Sequence, residues 1–171
     1  MLIRREVPSD RSTVRALTVA SSFKPHEEEP AELRLRDALR LGADWIPALS
    51  LVAEDRDGAI VGQAVCTWGR IGAVAVPNIS LLGVLPDRRR RGTGTALVHA
   101  SLAAADALDA AAVVVLGDPG FYGRFGFRPS TDVGIIGEEP AWGDFFQVRT
   151  LAAYDVSLRG EFAHPEPFGS A

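Results

Sequence analysis

The sequence predicts an α/β protein built on a central, mixed and twisted sheet with helices on both faces. Three stretches carry that expectation. Asn78 to Leu85 reads as a central strand, and Gly92 to Leu108 as a helix with Leu97, Ala100, Ala104 and Leu108 at helical spacing. Ala111 to Leu116 is a short, wholly apolar segment, the mark of a strand covered on both faces. Strand, helix, strand in that order is a βαβ unit, so these two strands should run parallel.

The remaining elements follow in chain order. Leu2 to Glu6 forms a first strand, and Ser9-Asp10 offers capping chemistry to a helix with Val14, Leu17 and Thr18 on one side. Pro25 breaks that pattern. A second helix starts after Pro30, carries Leu33, Leu35, Ala38 and Leu39, and ends near Gly42. Leu49 to Glu54 and Ile60 to Trp68 read as strands joined by the turn Asp55-Arg56-Asp57-Gly58. In the latter strand Ile60, Gly62, Ala64, Cys66 and Trp68 share one face, opposite Gln63 and Thr67. Gly120 to Phe125 is a short helix ended by Gly126, and Phe145 to Leu151 belongs to the last one or two strands.

At 171 residues the chain fits one domain, with a core over 2–151 and a C-terminal strand and tail over 152–171. Hydrophobic residues at 47% and charged residues at 23% are a globular balance. A net charge of −4 disfavours nucleic acid and anionic membrane as partners. The apolar runs are too short to span a membrane, and no early stretch has the order of a signal peptide. One cysteine, Cys66, excludes an internal disulfide and a multi-cysteine metal site. The expectation is a soluble, cytoplasmic protein.

Chemistry enters at Leu81-Leu82-Gly83-Val84-Leu85-Pro86-Asp87-Arg88-Arg89-Arg90-Arg91-Gly92-Thr93-Gly94-Thr95. A strand ends, an arginine-rich turn follows, and two glycines open a helix. Helix N-termini carry unpaired N–H groups and a partial positive charge, which suits phosphate. Glycines let the backbone close around an anion, and arginines add cationic forks. Four adjacent arginines also suit a solvated patch, and it is the preceding strand and Val-x-Pro that select the phosphate-binding role. The Walker loop fails for want of Gly-Lys-Ser/Thr. The dinucleotide fingerprint fails because Leu97 stands where its third glycine belongs.

Val84-x-Pro86 followed by Arg89-x-x-Gly92-x-Gly94 resembles the pyrophosphate signature of the GNAT N-acetyltransferase superfamily. Gly117-Asp118-Pro119-Gly120-Phe121-Tyr122-Gly123-Arg124-Phe125-Gly126-Phe127 is similar to the aromatic helix and Gly-Phe strand entry of a group of bacterial N-acetyltransferases. The order of elements agrees from Leu2 to Leu151. The resemblance implies acetyl-coenzyme A as co-substrate, lying between two parallel strands that splay apart. It assigns the pyrophosphate to the N–H groups of Arg89, Arg90, Arg91, Gly92, Thr93, Gly94 and Thr95. It assigns the pantetheine amides to the strand edge at Leu82 and Val84, and a polar contact on the cofactor arm to Asp118. A main-chain N–H near Leu82 to Val84 would polarise the thioester carbonyl. Homodimers are common in this superfamily, so a homodimer is a further expectation.

Transfer to an amine needs a neutral amine, a stabilised tetrahedral intermediate and a proton for the departing thiolate. Tyr122 matches the family tyrosine that donates the proton; the alternative is a packing role beside Phe121, Phe125 and Phe127. No carboxylate lies on Asn78 to Val84, where many members carry a glutamate, so the residues name no general base. Glu27, Glu28, Glu29 and His26 are weak candidates. Cys66 sits on an apolar strand face, which argues for direct attack in a ternary complex over an acyl-enzyme. His99 and His164 lack metal-ligand spacing, and no metal is expected. Phe23 to Glu29 and Glu138 to Phe146 are candidate walls for the amine acceptor. The alternative to catalysis is a non-catalytic acyl-coenzyme A sensor with the same fold.

Overall fold

The structure, a computed structural model, describes residues 1–22 and 29–166. Its strands are β1 (Leu2–Arg5), β2 (Trp45–Glu54), β3 (Ile60–Ile71), β4 (Val74–Val84), β5 (Ala112–Leu116), β6 (Arg128–Pro129), β7 (Ile135–Ile136), β8 (Phe146–Thr150) and β9 (Gly160–Ala163). The helices are α1 (Arg11–Ser21), α2 (Ala31–Leu41), α3 (Thr93–Asp106) and α4 (Pro119–Tyr122). Sheet order is β1-β2-β3-β4-β5-β8-β6, with β9 pairing both β3 and β7. Two pairings are parallel, β4 with β5 and β7 with β9; the others are antiparallel. The βαβ unit is therefore present, with β4 in the middle of the sheet.

Face assignments on β3 follow the alternation. Ala64 packs with Leu97 of α3, and Cys66 with Val98 of the same helix. On the opposite face, Gln63 Nε2 donates to Thr18 Oγ1 of α1 (2.6 Å) and Gln63 Oε1 accepts from Arg36 Nε of α2 (3.3 Å). Arg36 is fully buried and pairs with the buried Glu6 at 3.0 Å, while Ser50 Oγ donates to the other Glu6 oxygen. A buried polar group without partners costs several kcal/mol at most sites, so this fully connected set dictates where α1 and α2 sit. That fixes the C-terminal end of α1 beside β4.

Three strands are longer than the sequence suggests. β2 begins at Trp45 because Pro47 is accommodated in an irregularity between the Trp45–Thr67 and Ser50–Val65 pairs, where a missing N–H costs little. β3 and β4 extend to a two-residue hairpin turn, Gly72-Ala73, since Ile71 pairs with Val74. Pro77 accordingly lies inside β4, opposite Trp68, instead of preceding it. Asp10 also departs from expectation. Its carboxylate does not cap α1 but accepts from the Val7 N–H (2.8 Å) and from Arg4 (2.7 and 3.0 Å), and the Arg4 guanidinium holds it below the usual carboxylate range. Pro25 lies outside the described residues. Among those described, no helix is long and apolar enough to cross a membrane.

Candidate active site

β4 and β5 stay together for only two pairs, Asn78–Val114 and Ile79–Val115. Past these, β5 continues to Leu116 while pairing with β8 on its other edge, and β4 runs on to Val84 paired with β3 but no longer with β5. The cause lies on the β3 side. Val65 pairs with Leu81 and Cys66 with Ile79, so Ser80 is a bulged residue with no β3 partner. A bulge sharpens the local twist and bends its strand, which turns β4 out of the plane of β5. Ser80 Oγ is held at 2.8 Å from Thr67 Oγ1. The open edge from Ser80 to Val84 is the feature around which three cavities lie.

The first cavity, about 760 Å³, borders Leu82, Val84, Arg89, Arg90, Gly92, Gly94 and Thr95. A short 3-10 turn over Pro86–Arg88 closes with the Arg89 N–H on the Pro86 carbonyl, so that N–H is not available to a ligand. Arg90 (φ 59°) and Gly92 (φ 87°) are both left-handed, and α3 starts at Thr93. The first helical hydrogen bond is from Ala96 to Gly92. The N–H groups from Arg90 to Thr95 thus have no backbone acceptor among the described residues, which is the arrangement an anion needs. Arg89 braces the turn through its side chain, donating to the carbonyls of Val84 (3.1 Å) and Ser21 (3.2 Å). Thr93 turns its side chain into the core, and the Arg91 side chain projects outward. Arg124, which the sequence reading passed over, adds a cation at the rim, 4.8 Å above the Phe121 ring.

The second cavity, about 380 Å³, shares Ser21, Leu82 and Gly83 with the first and reaches Ser80, Gly117, Asp118 and Tyr122. Tyr122 is 8% exposed, and burial, reinforced by nearby Cys66, raises its phenol above the ordinary 10.0. Its ring stands edge-on to Phe121 (4.9 Å) and Phe127 (5.6 Å). A Cβ on Gly117 would come within 2.3 Å of that ring, so only glycine lets Tyr122 reach this place. The Tyr122 hydroxyl has no hydrogen-bond partner among the described residues, and the side chain borders the cavity. Asp118 caps α4 by accepting from the Gly120 N–H at 3.1 Å and borders the same space.

Cys66 is buried, and that burial pushes its thiol up to about 12. At neutral pH the thiolate nucleophile of an acyl-enzyme is scarcely populated there. Cys66→Ala is expected to cost about 1 kcal/mol of stability and leave turnover per folded molecule unchanged; steady-state kinetics beside thermal unfolding checks both. A variant that binds co-substrate but no longer turns over would restore the covalent route.

The third cavity, about 280 Å³, shares Ile79, Ser80 and Leu116 with the second and adds Asn78, Glu138, Glu139, Trp142 and His164. His164 Nδ1 lies 2.7 Å from Glu138 Oε2, and its backbone N–H donates to Glu138 Oε1 at 2.9 Å. Burial draws the imidazole below its ordinary 6.5, partly opposed by Glu138. Of the other candidates, Glu29 pairs with Arg15 on the surface, and His26, Glu27 and Glu28 lie outside the described residues. His99 stands edge-on to Phe125.

Residues 47–129 match the family model described as an acetyltransferase (GNAT) domain. The chain is 34% identical over 162 residues to an uncharacterized N-acetyltransferase, YhbS, of Escherichia coli K12, covering 94% of this chain and 92% of that protein. The crystal structure of the E. coli GNAT family N-acetyltransferase YhbS in complex with CoA superposes with a TM-score of 0.85 at 28% identity, over 98% of this chain and 91% of that one. A GNAT family acetyltransferase from Brucella melitensis in complex with acetyl-CoA gives a TM-score of 0.76 at 29% identity, over 98% and 97% of the respective chains.

Proposed function

Because the chain belongs to the GNAT family of acetyltransferases, we propose that it moves the acetyl group of acetyl-coenzyme A to a primary amine, by direct attack in a ternary complex, as a single cytoplasmic domain. One observation carries this reading. The N–H groups from Arg90 to Thr95 have no backbone acceptor among the described residues, and Arg90, Gly92, Gly94 and Thr95 line a cavity that continues along the open β4 edge to Tyr122. A diphosphate-bearing thioester has the shape of that path, and coenzyme A in YhbS and acetyl-CoA in the Brucella enzyme support it.

On this reading each residue has one task. The N–H groups from Arg90 to Thr95 take the pyrophosphate, Arg90 and Arg91 add charge, and Arg89 holds the turn in shape while its own N–H stays with Pro86. The edge at Leu82 and Val84 lines the arm; since the Val84 carbonyl already accepts from Arg89, Leu82 is the better placed of the two to bond it. Asp118 borders the arm while capping α4. The amine attacks the thioester carbonyl from the Ser80 side, the tetrahedral intermediate collapses, the C–S bond breaks, and the Tyr122 hydroxyl protonates the sulfur. The phenol, though its pKa is raised by burial, hands over its proton as negative charge builds on the departing sulfur. Glu138, Glu139 and Trp142 in the third cavity suit a cationic amine.

Calorimetry with acetyl-coenzyme A, followed by release of coenzyme A thiol against a panel of amines, tests the assignment. Micromolar binding and thiol release with cationic amines are expected. The absence of any carboxylate on β4 keeps a non-catalytic sensor as the second reading, and binding without thiol release for every amine would select it.

A further inference from the structure

The general base that β4 lacks is supplied from the other end of the chain: we propose that His164, paired with Glu138, takes the proton from the incoming ammonium. This rests on the acetyltransferase reading above and adds the missing half of its proton chemistry.

The argument begins with topology. β7 and β9 run parallel, with Ile135 opposite Gly160 and Ile136 opposite Glu161. Both strands therefore deliver their C-terminal ends to the same place, and the residues just beyond them are Glu138 and His164. β9 is also bonded to β3, with Arg70 opposite Ala163, and β3 carries β4 on its other side. The pair is thus brought to the cavity that Asn78 and Ser80 of β4 also line. That cavity shares Ile79, Ser80 and Leu116 with the one holding Tyr122. Acid and base then border two cavities that meet at the bulge at Ser80, where the thioester carbonyl belongs.

The chemistry of the pair fits the task. Glu138 holds the Nδ1 hydrogen, which puts the basic lone pair of the neutral imidazole on Nε2. Phe162 and Trp142 stand edge-on to the ring at 4.8 and 5.4 Å and fix its plane. Burial lowers the imidazole's pKa, so that it is neutral at pH 7. Among the described residues around this cavity the charged groups are Glu138 and Glu139, and both favour an approaching ammonium. In the step itself the ammonium proton passes to His164, leaving the His164–Glu138 pair with no net charge. The amine lone pair then forms the C–N bond, the C–S bond breaks as the sulfur takes the Tyr122 proton, and the second proton lost by the nitrogen restores the Tyr122 phenol. His164 returns its proton to solvent.

Two acceptors separate this role from mere packing: the primary alkylammonium that reacts best in the panel, and hydroxylamine, which is already neutral at pH 7. His164→Ala should lower kcat for the alkylammonium by about a hundredfold or more, keep acetyl-coenzyme A affinity, and leave hydroxylamine transfer within a few-fold. Added imidazole should restore part of the lost rate. Glu138→Gln, which presents an amide N–H to Nδ1 and so reverses the tautomer, should show the same selective loss with the ring still in place. Equal loss with both acceptors, or no loss with either, overturns the role of His164. If the unaltered enzyme acetylates neither amine while binding acetyl-coenzyme A, the transferase reading itself fails, and this one with it.

Discussion

Gly92→Val is expected to weaken acetyl-coenzyme A binding by at least about tenfold while the protein still folds. Gly92 has φ 87°, a region a β-branched residue enters only at a cost of roughly 1–3 kcal/mol. No atom lies within 4 Å of where its Cβ would go, so the penalty is in the backbone and not in packing. The turn escapes by rotating to negative φ, and that swings the N–H groups of Gly92 and Thr93 out of line. Each charge-assisted hydrogen bond lost is worth about 1.5–3 kcal/mol, and each 1.4 kcal/mol is about a factor of ten in affinity. Gly94→Leu reaches the same end differently. A Cβ there points at Phe121 (3.5 Å) and Val84 (3.8 Å), so a large side chain fills the cavity itself. Calorimetry on both variants, beside circular dichroism to confirm the fold, makes the check. Wild-type affinity in both would remove the pyrophosphate from this turn, and with it the basis for placing the co-substrate.

Tyr122→Phe should reduce kcat by about a hundredfold or more, in the range typical of a positioned acid, with acetyl-coenzyme A affinity unchanged. The substitution removes one oxygen that has no hydrogen-bond partner among the described residues, so stability should hardly move. Because burial raises the phenol above 10.0, Tyr122 keeps its proton throughout the neutral range. The pH profile of kcat should consequently show no falling limb from this group below about pH 10. The limb that does appear should be on the acid side, where rate is lost as pH falls and His164 becomes protonated. Unchanged turnover at saturating substrates would make Tyr122 a packing residue beside Phe121 and Phe127.

Much of this was legible in the chain because it is local. The strand end at Val84-x-Pro86, the glycines at 92 and 94, and the Gly-Asp-Pro before Tyr122 are signals of short range, each dictated by what a few consecutive residues can do with φ, ψ and N–H groups. The alternation on β3 was likewise readable, since side chains two apart share a face. The ends of β2, β3 and β4 were less so: Pro47 and Pro77 look like strand breakers in isolation, and only pairing with a neighbour shows that each is accommodated.

The linear sequence by itself determined the fold class, the βαβ unit, the glycine-bearing turn that opens α3 and the aromatic segment around Tyr122, because hydrophobic period and turn chemistry act over a few residues. Tertiary structure alone decided the bulge at Ser80 that parts β4 from β5, the bracing of the turn by Arg89, and the meeting of Glu138 with His164. Those depend on which strands become neighbours. Residues 26 positions apart acquire a common chemistry only when a sheet lays their strands side by side.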